Sequence, residues 1–123
     1  AALYMIHAYV EPHEDTNPQM INNIKQMYID AGNKNDALVI PVGIAFEKAY
    51  KAQKNIQLHK HYDGTHPNIL GTYLASCVVF ASITHLSPLN IQYSYYDKIS
   101  KEDKEFLQNV AKETVEDFYN IDL

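Results

Sequence analysis

An α/β fold built on parallel strands is what these 123 residues predict, and three observations lead there. Two short continuous apolar runs, Leu3-Tyr4-Met5-Ile6 and Ala37-Leu38-Val39-Ile40-Pro41-Val42, have the pattern of strands covered on both faces. Between them lies a stretch with helical apolar spacing, and strand, helix, strand in that order implies a right-handed parallel crossover. Further helices follow, enough to cover both faces of a sheet. With 46% hydrophobic residues the chain has the composition of a globular domain and the length of only one.

The first strand is followed by a polar loop, Glu11 to Asn17. Asn17-Pro18 then offers a cap and a first-turn proline for a helix with Met20, Ile24, Met27, Tyr28 and Ala31 on one stripe, and Gly32 is placed to end it. The second strand is assigned by its length and β-branched content, with Gly43 where the chain leaves the sheet. Ile44 to Gln53 has Ala45, Phe46, Ala49 and Tyr50 at helical spacing, and Ile56-Gln57-Leu58 reads as a short edge strand or as extended chain. After the polar segment His59 to Asn68, Pro67 opens an apolar helix that ends near His85. Its apolar stretch, Ile69 to Ile83, contains Gly71, Thr72, Ser76 and Ser82 and falls short of the roughly 20 residues that cross a bilayer, so no membrane span is expected. Asn90 to Ile99, with three of the ten tyrosines and no clean period, reads as a covering loop. Ser100-Lys101-Glu102-Asp103 has a capping-box pattern before a last helix with Phe106, Leu107, Val110, Ala111, Val115 and Phe118 as its apolar positions.

No repeat, low-complexity run or linker divides the chain, so residues 1–123 read as one α/β domain. Two firm strands and one doubtful one make a poor parallel sheet, and more strands are expected from an upstream segment or a second chain. An open edge at Leu3 to Ile6 favours association if nothing covers it.

Composition narrows the partners. All ten basic residues are lysines, the net charge is -5, and the arginine fork that reads phosphates and guanine edges is missing, which argues against nucleic acid. Cys77 is the only cysteine, which excludes an internal disulfide, and its place in the apolar helix suits a buried, unreactive thiol. The amino terminus has neither an initiator Met nor a basic signal-peptide region, so the compartment stays open, a secreted or periplasmic location included. Abundant Asn, Ile and Lys without Arg fit a bacterium with an AT-rich genome.

One segment concentrates chemistry: His59-Lys60-His61-Tyr62-Asp63-Gly64-Thr65-His66-Pro67, with three of the six histidines. Asp63 and His66 lie three apart across a glycine, a spacing at which a carboxylate can fold back onto the imidazole. It would hold one ring nitrogen as a donor and leave the other to accept a nucleophile's proton. The bland alternative is an Asx-type turn with a helix cap. His59, His61, Asp63 and His66 also admit reading as metal ligands, although nothing at helical i,i+4 spacing completes a set, and none is assigned. His59 and His61 read better as exposed loop residues. His7, at the end of the first strand, is a candidate substrate-binding residue, because ligands gather at the carboxyl ends of parallel strands; a plain loop histidine is the alternative. Tyr93, Tyr95 and Tyr96 would either wall a substrate or pack the last helix onto the sheet, and packing is the reading favoured here. The Lys101 to Glu105 charges suit a solvated helix face.

Asp63-Gly64-Thr65-His66-Pro67, followed by Gly71, Tyr73, Leu74 and Ala75, resembles the last conserved block of the SGNH (GDSL-type) hydrolases. The resemblance runs from about Leu3 to Pro88, and only Asp63 to Ala75 is specific. It implies a three-layer α/β/α sandwich with a parallel, flavodoxin-like sheet, incomplete at its N-terminus. It also implies a serine esterase in which His66 is the base and Asp63 its orienter, acting on a small-molecule or carbohydrate ester with no metal or organic cofactor. The family's Gly-Asp-Ser block and its oxyanion-hole glycine and asparagine have no counterpart in this chain. Ser76, Ser82, Ser87, Ser94 and Ser100 all lie in or after the apolar helix, none in a nucleophile-like turn. The expectation is therefore a carboxy-terminal portion of such a hydrolase, supplying Asp and His while serine and oxyanion donors come from elsewhere. A non-catalytic binding module for carbohydrate or protein is the alternative.

Overall fold

The computed structural model describes residues 1–123. Strand β1 (Ala2–Tyr4), helix α1 (Met20–Asn35), strand β2 (Leu38–Ile40) and helices α2 (Val42–Ala52), α3 (Ile69–Thr84) and α4 (Lys101–Tyr119) follow in that order, with one 3-10 turn at Pro88–Asn90. The two strands pair in parallel, Leu3 opposite Val39, as the strand-helix-strand order requires. This is an α/β fold with four helices and a small two-stranded sheet.

Both strands are shorter than their apolar runs. Past Tyr4 the chain stays beside β2 only as far as Met5, whose N–H donates to Ile40 O and whose carbonyl accepts from Gly43 N–H. Ile6 lies beyond the ladder and is exposed. Val42 belongs to α2, not to β2, because Pro41 stands as that helix's N-cap. A Cβ on Gly43 would lie 2.1 Å from Ile6 O, so glycine is what lets α2 begin hard against the β1 exit.

Helix α1 starts at Met20, two residues after the proline, while Asn17 Oδ1 accepts from Gln19 N–H in a turn ahead of it. Gly32 does not end it. The helix runs on to Asn35 and stops at Asp36, left-handed at φ 50°, while Gly32 faces β2 where a Cβ would meet Val39 Cγ2 at 2.4 Å. Ile24 is buried against Met5 and Val39, whereas Met27, expected on the same stripe, is exposed. Ile56 to Leu58 forms no strand; the neighbouring His59 makes a single antiparallel bridge with Pro67.

Helix α3 is apolar nearly all round and lies at the centre of the core, with Leu74 and Val78 fully buried among Phe46, Leu58, Leu107 and Val115. Its start is set by Asn68, whose Oδ1 accepts from Leu70 and Gly71 N–H. Helix α4 covers it, capped by Ser100 Oγ accepting from Asp103 N–H as the capping-box pattern predicted. Tyr119, at the end of α4, donates to Val39 O at 2.6 Å and ties that helix to the sheet. Lys48 pairs with Glu113 and Asp117 at 3.3 and 2.8 Å, exposed contacts that contribute little. No helix is long and apolar enough to cross a membrane.

The tyrosine loop departs from expectation. Tyr93, Tyr95 and Tyr96 are exposed and pack edge to edge with one another, not onto α4. Ile91 and Ile99 take the inward positions, and the chain turns outward through three successive left-handed residues, Tyr95, Tyr96 and Asp97. Such backbone is strained for non-glycine residues and persists only where its surroundings hold it. Here buried Gln108 donates to Ile91 O at 2.8 Å and to Tyr73 OH at 3.0 Å, and Tyr73 donates in turn to Tyr93 O.

Candidate active site

The hairpin from Leu58 to Asn68 carries the candidate residues. Asn68 N–H donates to Leu58 O, and Lys60 N–H donates to His66 O at 2.7 Å, so the two limbs are zipped on either side of the His59–Pro67 bridge. At its tip Gly64 has φ +66°, and its carbonyl accepts from Val10 N–H of the β1 exit loop. A Cβ there would stand 1.9 Å from Val10 O, so only glycine allows the hairpin to lie on that loop.

Asp63 uses both carboxylate oxygens. Oδ1 accepts from Thr65 and His66 N–H at 2.9 and 3.0 Å, and Oδ2 lies 2.7 Å from His66 Nδ1. The Asx turn and the Asp–His pair, alternatives in the sequence, are the same structure: the turn aims the carboxylate at the ring. Hydrogen bonds from the Thr65 and His66 amides, then His66 itself, hold the Asp63 carboxyl down at about 2. A carboxylate at that position accepts a hydrogen bond from Nδ1–H and leaves Nε2 as the acceptor. Nε2 has no partner within the chain, and the ring is largely exposed. None of the five serines reaches it: Ser76 donates to Thr72 O, Ser94 to Asp97, Ser87 and Ser100 cap helical turns, and Ser82 is buried.

His59 overturns its assignment as an exposed loop residue. It is 3% exposed, with Nδ1 2.6 Å from Tyr50 OH and Nε2 3.1 Å from Ala8 O and 3.2 Å from His7 Nδ1. The bridge to Pro67 turns its ring into the core, whereas His61 and Lys60 are exposed. The imidazoles of the segment therefore diverge, and no three His, Cys, Asp or Glu side chains gather in a group that could hold a metal. His7 lies at the same end of the molecule, half-buried and stacked on Phe46 at 4.6 Å with His59 edge-on at 4.7 Å. Burial lowers its pKa, and the His66 charge pushes the same way. Sequence reasoning missed Tyr50 and the burial of His59, whose partners stand 9 to 52 residues away in no recognisable pattern. Cys77 is buried as expected, and burial pushes its thiol up to about 11.

A cleft of about 570 Å³ is lined by Lys60, whose N–H donates to His66 O, and by Pro67 and Asn68, the two residues after His66, but not by His66 itself. It runs along Thr72, Ser76 and Phe80 of α3 beneath Tyr93 and Tyr95, in the size range of small-molecule sites.

Burial of His59, with His7 beside it, lowers its pKa from 6.5 to about 4. As pH falls the unfolded chain therefore takes up that proton first. The stability contributed by neutral His59 is complete above 6.5 and is lost as pH falls from 6.5 towards 4, bounded at roughly 3 kcal/mol. Asp63 adds a loss only lower, from 3.8 towards 2. Urea midpoints measured at pH 7, 5.5 and 4.5 should fall steadily, and H59Q should flatten the decline; an unchanged decline in H59Q would place the proton elsewhere.

No family model matches the sequence, and no curated protein matches it. Among solved structures the chain is similar to a DUF4886 family protein from Bacteroides uniformis ATCC 8492, with a TM-score of 0.81 and 22% identity over 98% of this chain and 49% of that one. The likeness is one of fold, and the chain spans about half of that protein's length.

Proposed function

We propose that this chain supplies the Asp–His part of a Ser-His-Asp triad in an SGNH-type ester hydrolase of three-layer α/β/α architecture, with the serine and oxyanion donors provided by polypeptide outside these 123 residues. The observation that carries the reading is the 2.7 Å contact of Asp63 Oδ2 with His66 Nδ1, beside a ring whose Nε2 has no partner in the chain. In the reaction the serine oxygen attacks the ester carbonyl and its proton passes to His66 Nε2. The alcohol leaves with that proton, a water attacks the acyl-serine as His66 accepts its proton, and the acid departs as serine regains one. Asp63 keeps the proton of His66 on Nδ1 and stabilises the imidazolium in each half. The apolar cleft beneath Tyr93 and Tyr95 suits an acyl group. His7, half-buried and lining no part of that cleft, stays the candidate for substrate contact on its place after β1 alone.

Intact mass spectrometry before and after a fluorophosphonate probe tests this. An adduct on a second, co-purifying polypeptide, lost in H66A, is the expected result. One chain with no adduct would overturn the esterase reading for the protein as prepared, and favour the non-catalytic binding module.

A further inference from the structure

His59 is the one buried imidazole near the site, and the chemistry above does not use it. Ala8 O can only accept, so the His59 proton sits on Nε2, shared between Ala8 O and His7 Nδ1. His59 Nδ1 then accepts from the Tyr50 hydroxyl, whose oxygen already accepts from Leu58 N–H at 3.1 Å. One side chain thus joins three parts of the fold: α2 through Tyr50, the hairpin through its own backbone, and the β1 exit loop through Ala8. His59 stands across the hairpin from Pro67, the residue after His66, and the next residue, Lys60, donates to His66 O. Only Val10 N–H to Gly64 O gives the hairpin another backbone tie to that loop.

We propose that His59 is a positioning residue for His66. Its hydrogen bonds to Ala8 and Tyr50 fix the limb on which His66 rides, and so hold the imidazole where Asp63 selects the Nδ1–H form. This rests on the reading of Asp63 and His66 as orienter and base. The groups facing His59 are His7 from the exit loop, Tyr50 from α2 and Asp63 from its own hairpin, with Glu11 and Glu47 lining the pocket that His59 borders. A ring that merely filled space would be replaceable by any ring of its size. A hydrogen-bonding role is met instead by glutamine, whose Nε2 can donate to Ala8 O from a comparable position.

The test reads the His66 tautomer and the exchange of its Nδ1 proton by long-range 1H–15N spectroscopy on the full chain at neutral pH. Wild type and H59Q are expected to show the Nδ1–H form. H59F is expected to relax towards mixed tautomers, with exchange of the Nδ1 proton faster by about fivefold or more, the factor that a net hydrogen bond represents. A folded H59F that keeps the wild-type His66 signature overturns the proposal. Should H59F not fold, Y50F removes only the hydroxyl that His59 accepts from, and unchanged His66 exchange in Y50F overturns it equally. D63N separates the two levels. If D63N leaves His66 unaltered, the Asp–His pair itself is misread; if D63N moves His66 and H59F does not, only the role of His59 falls.

Discussion

In the proposed hydrolase, replacing Asp63 with asparagine is expected to slow fluorophosphonate labelling of the serine that would complete the triad by about four orders of magnitude while leaving the hairpin folded. The asparagine oxygen can still accept from the Thr65 and His66 amides, so the Asx turn survives. At the Oδ2 position, however, an amide donor would now face His66 Nδ1. The ring must then accept there, its proton moves to Nε2, and the atom that should receive the serine proton is blocked. A turn-only role for Asp63 predicts near wild-type labelling in D63N, so rate constants for the two proteins decide between the roles. H66A tests the base directly and D63N tests why the base is competent. The two should not add when combined, because they act as one unit.

The second large effect is on stability. Phe46 is 2% exposed, stacks on His7 and meets His59 edge-on at 5.4 Å, so it is at once part of the core and the support of that histidine pair. F46A should cost about 3–5 kcal/mol, since a buried aromatic leaves a cavity that the fully buried Leu58 and Leu74 can only partly fill. That is a large share of the roughly 5–15 kcal/mol that a domain has in total. F46L, which keeps most of the volume, should cost far less. Urea denaturation with a shared slope measures both, and a loss below about 1 kcal/mol in F46A would mean that the core repacks without Phe46.

The structure also refines what the apolar pattern suggested. The parallel direction of the two strands, the capping box at Ser100 and burial of Cys77 were legible from element order and local pattern, because hydrophobic period and caps are properties of neighbouring residues; the register that sets Leu3 opposite Val39 was not. Gly32 illustrates the limit. Glycine near a helix end suggests a stop, yet this one is retained for its lack of a side chain opposite Val39, and Asp36 takes the left-handed position four residues on. The tyrosines of 93–96 illustrate another: a run without period carries no information about which way it faces. Here Gln108, on a helix that begins later in the chain, sets that by holding Ile91 O.

At the site the division has the same cause. Asp63 and His66 were legible because the contact between them spans three residues, a separation that a single turn can close. Where His66 stands depends on groups brought together from distant positions: Gly64 on Val10, Lys60 on His66, and His59 between Tyr50 and Ala8. No local period relates residues 8, 50 and 59, because each reports only its own element. Packing of the hairpin between the β1 exit loop and α2 is what gives a buried, neutral histidine its three partners and so decides which of the segment's imidazoles faces solvent.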